Sequence, residues 1–142
     1  MSLGQMVYQL LVRPALFTLP PEQGQRAADL LLRQTPLWRA LSPALRVNDT
    51  ILETGLCGMK LASPVGLAAG FDKDCRMLPS LARLGFGYLV GGTVVARPQP
   101  GNPRPRMLRR KAEQALVNSL GFPSKGLDAV AATLERRRDA TP

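Results

Sequence analysis

The chain has 142 residues, 45% of them hydrophobic, which suits one modest globular domain with a real core and excludes a disordered chain. It contains no histidine, and that removes histidine triads, HExxH zinc sites and imidazole bases together. The net charge of +9, from 15 arginines and 4 lysines against 10 acids, suits a polyanion, an anionic membrane surface or a phosphate-bearing cofactor, without choosing among them.

Residues 1–46 read as short helices broken by proline. MVYQLLV runs into Arg13-Pro14, and ALFTL ends at Pro20-Pro21. PEQGQRAADLLLRQ follows, with Ala27, Leu30, Leu31 and Gln34 at helical spacing, proline in the first turn and Glu22 beside it. Thr35-Pro36 restarts the helix as PLWRALSPAL. The segment carries Met6, Tyr8, Leu10, Leu11, Phe17, Trp38 and Leu41 among others, more apolar surface than such short helices bury among themselves. Either it packs against the rest of the domain, or part of it lies in a membrane interface with Arg13, Arg33, Arg39 and Arg46 toward the headgroups. No run approaches the ~18 apolar residues of a membrane span. The N-terminus lacks a basic stretch followed by a clean apolar one, so an intracellular chain without a secretory signal is expected.

After Asn48-Asp49 the texture changes to strands. TILETGL, Cys57-Gly58 and MKLASPVGLAAG predict a hairpin turning near Gly58 and leading into a central strand. PVGLAA is a continuous apolar run, the pattern of a strand covered on both faces. Met77, Leu81 and Leu84 form one helical stripe closed by Gly85, and Tyr88–Val95 is the next strand. Residues 64–95 thus spell strand, helix, strand: a βαβ unit, which implies a parallel sheet, either open or closed into a barrel. Cys57 and Cys75 show no CxxC pattern and read as buried or half-buried free thiols in a reducing compartment, with no metal site expected.

Residues 96–111, ARPQPGNPRPRMLRRK, form a proline-rich basic arm without an acid. Its prolines and its lack of aromatic residues argue against nucleic-acid binding and for a loop that folds over a site or pairs with acids. Ala115–Leu120 reads as another short strand ending in Gly121. Residues 126–135 read as a helix with Leu127, Val130, Ala131 and Leu134 on one face. The chain stops at Arg-Arg-Arg-Asp-Ala-Thr-Pro, directly after a helix that should feed another strand, and reads as unfinished.

The stretch richest in chemistry is GLAAGFDKD. A strand end of Ala68-Ala69-Gly70 lets a flat group approach the backbone, and Lys73 adds a cation at its rim. Gly91-Gly92-Thr93 repeats the device on the next strand, and Asn118 stands near the end of a third. Ligands of α/β folds bind at such C-terminal strand ends. The alternative is that the glycines serve turns and that Asp72 to Asp74 form a solvated loop. Neither GxGxxG nor GxxxxGK[ST] is present.

Taken as ordered motifs, PVGLAAGFDKD, LGFGYLVGGTVVARPQPGNPRPRMLR and ALVNSLGFPSKGLDAV resemble the opening half of a dihydroorotate dehydrogenase of the membrane-associated, quinone-reducing class. The likeness is close over roughly residues 45–135. It implies an α/β fold, the N-terminal part of a (β/α)₈ TIM barrel. Residues 1–46 would be a helical, membrane-associating extension that admits quinone, and residues 47–142 the first part of the FMN-binding barrel. The implied reaction is oxidation of dihydroorotate to orotate with FMN and a quinone acceptor, in pyrimidine biosynthesis.

By the same resemblance, Ala69, Gly70, Phe71, Asp72 and Lys73 lie along the flavin, Thr93 contacts FMN, and Lys73 also reaches the substrate. Asn118, Ser119, Leu120, Gly121 and Phe122 match the turn that holds the pyrimidine, although many relatives carry a basic residue in place of Ser119. The family's serine base and FMN-phosphate loops match nothing in this chain, since a barrel of this type needs ~250 residues. No catalytic base is therefore expected here, and the chain alone is expected to show little activity or none. The implied partners are dihydroorotate and orotate, quinone and a membrane surface, with no nucleic acid. The implied location is peripheral, on the cytoplasmic face of the cell membrane or on the inner mitochondrial membrane. The rival expectation is an inactive chain that only binds membrane surfaces or polyanions.

Overall fold

The computed structural model describes residues 3–47 and 49–138. They fall into two compact units. One contains the described residues through Leu31 together with Asn102–Leu120, the other Leu32–Gly101 together with the described residues from Gly121 onward.

In the first unit the chain is helical from Leu3 to Thr18: α1 (Leu3–Val7), a π-helical turn (Tyr8–Val12) and α2 (Arg13–Thr18). The break expected at Pro14 does not occur. The Arg13 N–H bonds to the carbonyl of Tyr8, five residues back, so the ladder widens just before Pro14, which has no N–H to offer. Pro20-Pro21 does stop the helix. Leu19 is extended, and α3 (Pro21–Leu32) begins on proline with Glu22 in its first turn.

The rest of this unit is a hairpin. Strand β3 (Met107–Arg110) pairs antiparallel with β4 (Ala115–Asn118), Met107 opposite Asn118 and Arg110 opposite Ala115. The ALVN strand therefore takes its partner from the basic arm and belongs to a separate two-stranded sheet, not to a parallel set. The arm's arginines bind the hairpin to the helices of the same unit. Arg109 stacks 4.1 Å over the Phe17 ring and donates to the carbonyls of Phe17 and Leu19, at the C-terminal end of α2. Glu22 accepts from the Arg106 N–H at 3.1 Å and pairs with the guanidinium of Arg104 at 2.8 Å and of Arg106 at 3.6 Å. Its carboxylate at the start of α3 is favoured by the helix dipole as well.

The second unit contains α4 (Thr35–Leu45), the antiparallel hairpin β1 (Thr54–Leu56) and β2 (Met59–Leu61), α5 (Leu78–Leu81) and α6 (Leu127–Glu135). The hairpin turns on Cys57 and Gly58, both at positive φ (49° and 79°), the backbone of a tight two-residue turn. After one turn α5 tightens into a 3₁₀ turn (Ala82–Leu84) and ends at Gly85 in the left-handed region, as its sequence predicts. The core of this unit is Leu32, Met77 and Leu81, with Trp38, Leu67, Leu84 and Leu89 packed around it. In α6 the expected apolar stripe is only partly covered: Val130 is buried, while Leu127 and Leu134 are exposed.

Candidate functional site

Of the residues expected to meet a ligand, Ala69 to Lys73 and Thr93 sit at the end of a short parallel pairing in the second unit. Leu67 bridges Leu89 in parallel, through Leu67 N–H to the Tyr88 carbonyl (3.0 Å) and Val90 N–H to the Leu67 carbonyl (2.9 Å). One step further, Gly70 N–H donates to the Gly92 carbonyl at 2.7 Å, and Gly92 N–H to the Asp72 carbonyl at 3.0 Å. The α5 segment lies between the two runs in sequence, so the order is that of a βαβ unit, but neither run is a strand. They meet at one parallel bridge, and Val65, Ala68 and Ala69 are exposed where a strand covered on both faces was expected.

At the end of this pairing the backbone is bare. Ala68, Ala69, Phe71 and Thr93 are exposed, and Gly70 and Lys73 are half-buried. Gly70 has φ +107°, a conformation side chains rarely adopt, and a Cβ built there meets only Lys73 Nζ, at 3.9 Å. Gly91 has the opposite reason to be glycine: a Cβ there would collide with the sulfur of Cys75. The ridge is thus open on one side and tightly packed on the other.

Asp72 does not form a solvated loop. It is 2% exposed, and its carboxylate accepts from the N–H groups of Arg76 (2.8 Å) and Met77 (2.6 Å). That carboxylate shapes the turn leading into α5, while the next residue, Lys73, donates to the Gly70 carbonyl at 2.6 Å. Asp74 accepts from Lys125 N–H at 3.1 Å and lies 3.5 Å from the Arg76 guanidinium. The ammonium of Lys73 therefore stands at the bare ridge on a backbone fixed by its two acidic neighbours.

Cys75 is 4% exposed. Burial, and then the charges of Asp72 and Asp74, push its thiol above the ordinary value of 9.0. A raised pKa in the folded state means that the unfolded chain loses this proton first as pH rises. The stability this thiol contributes is present below the unfolded value and is lost as pH climbs through the folded one. Melting temperature should fall above about pH 9, and Cys75→Ala should flatten that fall in melts recorded from neutral to alkaline pH. Cys57 is exposed at the hairpin turn and not buried or half-buried as expected, so alkylating reagents should reach it first and Cys75 only on unfolding.

The expected substrate turn is divided between the units. Asn118, Ser119 and Leu120 belong to the first, Gly121 and Phe122 to the second. In the first, Ser119 N–H donates to the Arg106 carbonyl (2.9 Å), and Asn102 donates through its side chain to the Ser119 carbonyl (2.8 Å) and through its N–H to the Leu120 carbonyl (3.0 Å). In the second, the Gln99 side-chain amide donates to the carbonyls of Gly121 (2.9 Å) and Phe122 (3.0 Å). Ser124 is buried, and its hydroxyl accepts from Gly126 N–H at 3.1 Å, a structural use. Gln99 and Asn102 are the contributors that sequence reasoning missed. The only hint was two amides flanking Pro100-Gly101 in a segment otherwise mostly basic or proline.

Among the described residues no group of His, Cys, Asp and Glu could hold a metal ion. The family described as Dihydroorotate dehydrogenase matches residues 51–142, well over half of the chain. The chain belongs to the dihydroorotate dehydrogenase family. It is 48% identical over 130 residues to the dihydroorotate dehydrogenase (quinone) of Acidithiobacillus ferrooxidans, covering 87% of this chain and 35% of that protein. The dihydroorotate dehydrogenase (quinone) of Mycobacterium tuberculosis is 43% identical over 136 residues, covering 93% of this chain and 38% of its own length. Among solved structures, Eimeria tenella DHODH in complex with ferulenol is 37% identical with a TM-score of 0.64, over 78% of this chain and 29% of that one. The α/β fold of this chain is thus that of the dihydroorotate dehydrogenases. The chain spans somewhat over a third of the length of the curated relatives it matches.

Proposed function

We propose that these residues serve a quinone-dependent dihydroorotate dehydrogenase, oxidising dihydroorotate to orotate in pyrimidine synthesis with FMN as cofactor. In this reading residues 47–142 supply the first part of a (β/α)₈ barrel, and residues 1–46 a helical extension. The observation that carries it is the bare ridge with Lys73 at its rim, within a segment that matches the family. The ridge fits a flat ring system, because Ala68 and Ala69 present only methyl groups and Gly70 none. Ala69, Gly70, Phe71, Lys73 and Thr93 would hold FMN, and Asp72, buried with its carboxylate engaged, would shape the turn beneath it. FMN supplies the hydride acceptor when bound. Lys73 holds a fixed positive charge where negative charge develops, and it also reaches the substrate. Asn118, Ser119, Leu120, Gly121 and Phe122 would seat the pyrimidine. No residue of this chain is assigned as the proton acceptor.

The quinone and membrane parts of the proposal rest on exposed apolar side chains. In the first unit Leu10 and Leu11 are 65% and 66% exposed, with Met6, Val7 and Val12 beside them, while Leu37, Leu41 and Leu45 stand exposed on α4 of the second. Such faces suit a lipid surface and an apolar passage for a quinone. No helix of the described residues is long and apolar enough to cross a membrane, so the association would be peripheral.

The test is a chimera in which this chain replaces the aligned segment of the 48% identical Acidithiobacillus ferrooxidans relative. The expected product retains flavin and reduces quinone when given dihydroorotate. A folded chimera without flavin would overturn the proposal. If it also bound anionic vesicles in a salt-sensitive way, the rival role in surface binding would take its place.

A further inference from the structure

We propose that Gln99 is a positioning residue, whose side-chain amide holds the Gly121–Phe122 backbone in the shape that admits the substrate. The proposal rests on the functional reading above for the word substrate, and on geometry alone for the rest. Gln99 makes four hydrogen bonds to one short segment of its own unit. Its N–H donates to the Ser124 carbonyl at 2.9 Å, and its carbonyl accepts from Ser124 N–H at 3.0 Å. Its side-chain amide then donates to two successive carbonyls, Gly121 at 2.9 Å and Phe122 at 3.0 Å. Two carbonyl acceptors leave no choice about which end of the amide faces them, because only the NH₂ group can donate.

The turn needs such a support. Gly121 and Phe122 are both in the left-handed region, with φ of 69° and 51°. Glycine adopts it freely, but for a bulky residue like phenylalanine it is an unfavourable backbone. Packing of the ring does not explain it, since Phe122 is 66% exposed. What does stand against this backbone is Gln99. The approach of the two runs is close: a Cβ at Gly126 would stand 2.9 Å from Pro98, so residues 98–99 lie directly along 124–126. Gln99 meets the turn through its side-chain amide. It acts through the carbonyls it holds, and a displaced turn misplaces every group the turn offers to a pyrimidine.

The test compares Gln99→Ala with Gln99→Glu. Alanine removes the donors. Glutamate keeps the size but turns a carboxylate oxygen toward two carbonyl oxygens, so it should do more harm than alanine. Hydrogen exchange is followed in the full 142-residue chain, on peptides spanning Asn118–Gly126, with peptides from α5 as internal control. The expected result is exchange about three- to tenfold faster in Gln99→Ala and faster still in Gln99→Glu, with α5 unchanged. Unchanged exchange in both variants would overturn the proposal, and so would a glutamate variant as slow as the parent, which would mean a space-filling role. In the chimera the same variants should raise KM for dihydroorotate by a similar factor while leaving flavin content intact. Faster exchange without a change in KM would remove the substrate from the proposal and overturn it as stated. If the parent chimera itself lacks flavin and activity, the functional reading has failed, and the exchange data alone then decide whether Gln99 holds the turn.

Discussion

Replacing Lys73 by methionine will slow flavin reduction by dihydroorotate about 10²- to 10³-fold in the chimera, the loss seen when one preorganised stabiliser of developing charge is removed. The ammonium lies 2.6 Å from the Gly70 carbonyl, at the edge of a backbone stripped of side chains, where a flat ring can come close to it. Methionine retains much of the length and the apolar stem but carries no charge, so the change isolates electrostatics from packing. Lys73→Arg should recover part of the rate, because charge persists while the fork geometry does not fit the same place. Stopped-flow bleaching of the flavin under anaerobic conditions gives the number directly. A methionine variant that reduces at the parental rate would mean that Lys73 only caps the Gly70 carbonyl, and the flavin assignment of this rim would fall with it.

Asp72→Ala should be the most damaging substitution for folding. The carboxylate is buried and accepts from two backbone N–H groups, those of Arg76 and Met77. Alanine orphans both donors, at about 1–3 kcal/mol for the buried Met77 N–H and less for the part-buried Arg76 N–H. Against the roughly 5–15 kcal/mol that holds a typical domain together, the sum is a large fraction. Asp72→Asn preserves the shape but places an NH₂ group against one of the two donors, so it should fall between parent and alanine. Asp74→Ala makes a useful contrast, since that side chain gives up one backbone bond at 3.1 Å and an ion pair at 3.5 Å. Urea midpoints should therefore rank parent, Asp74→Ala, Asp72→Ala. Equal midpoints for Asp72→Ala and the parent would show that the turn into α5 holds without its cap.

Much was already determined by the sequence alone, wherever the deciding interaction is local. The Cys57-Gly58 turn joins the strands immediately on either side of it, and Gly85 ends a helix through its own backbone conformation. Pro20-Pro21 stops a helix because proline removes the next donor. The bare ridge was legible too, since missing side chains are missing in any fold, and the ordered motifs around it carried the family.

The tertiary structure decided what depends on partners distant in sequence. Pro14 is tolerated because the ladder widens one turn earlier, a register shift that no composition announces. Met107–Arg110 became a strand only because Ala115–Asn118 lay opposite, and the prolines around it had hidden its alternation. Asp72 looked like part of a charged loop, yet burial turned its carboxylate into a cap for the turn into α5. Gln99 reaches carbonyls 22 and 23 residues away, a relation carried by no periodicity and no propensity. Local rules see backbone conformation and side-chain spacing. Hydrogen bonds between remote segments exist only once the chain has brought those segments together.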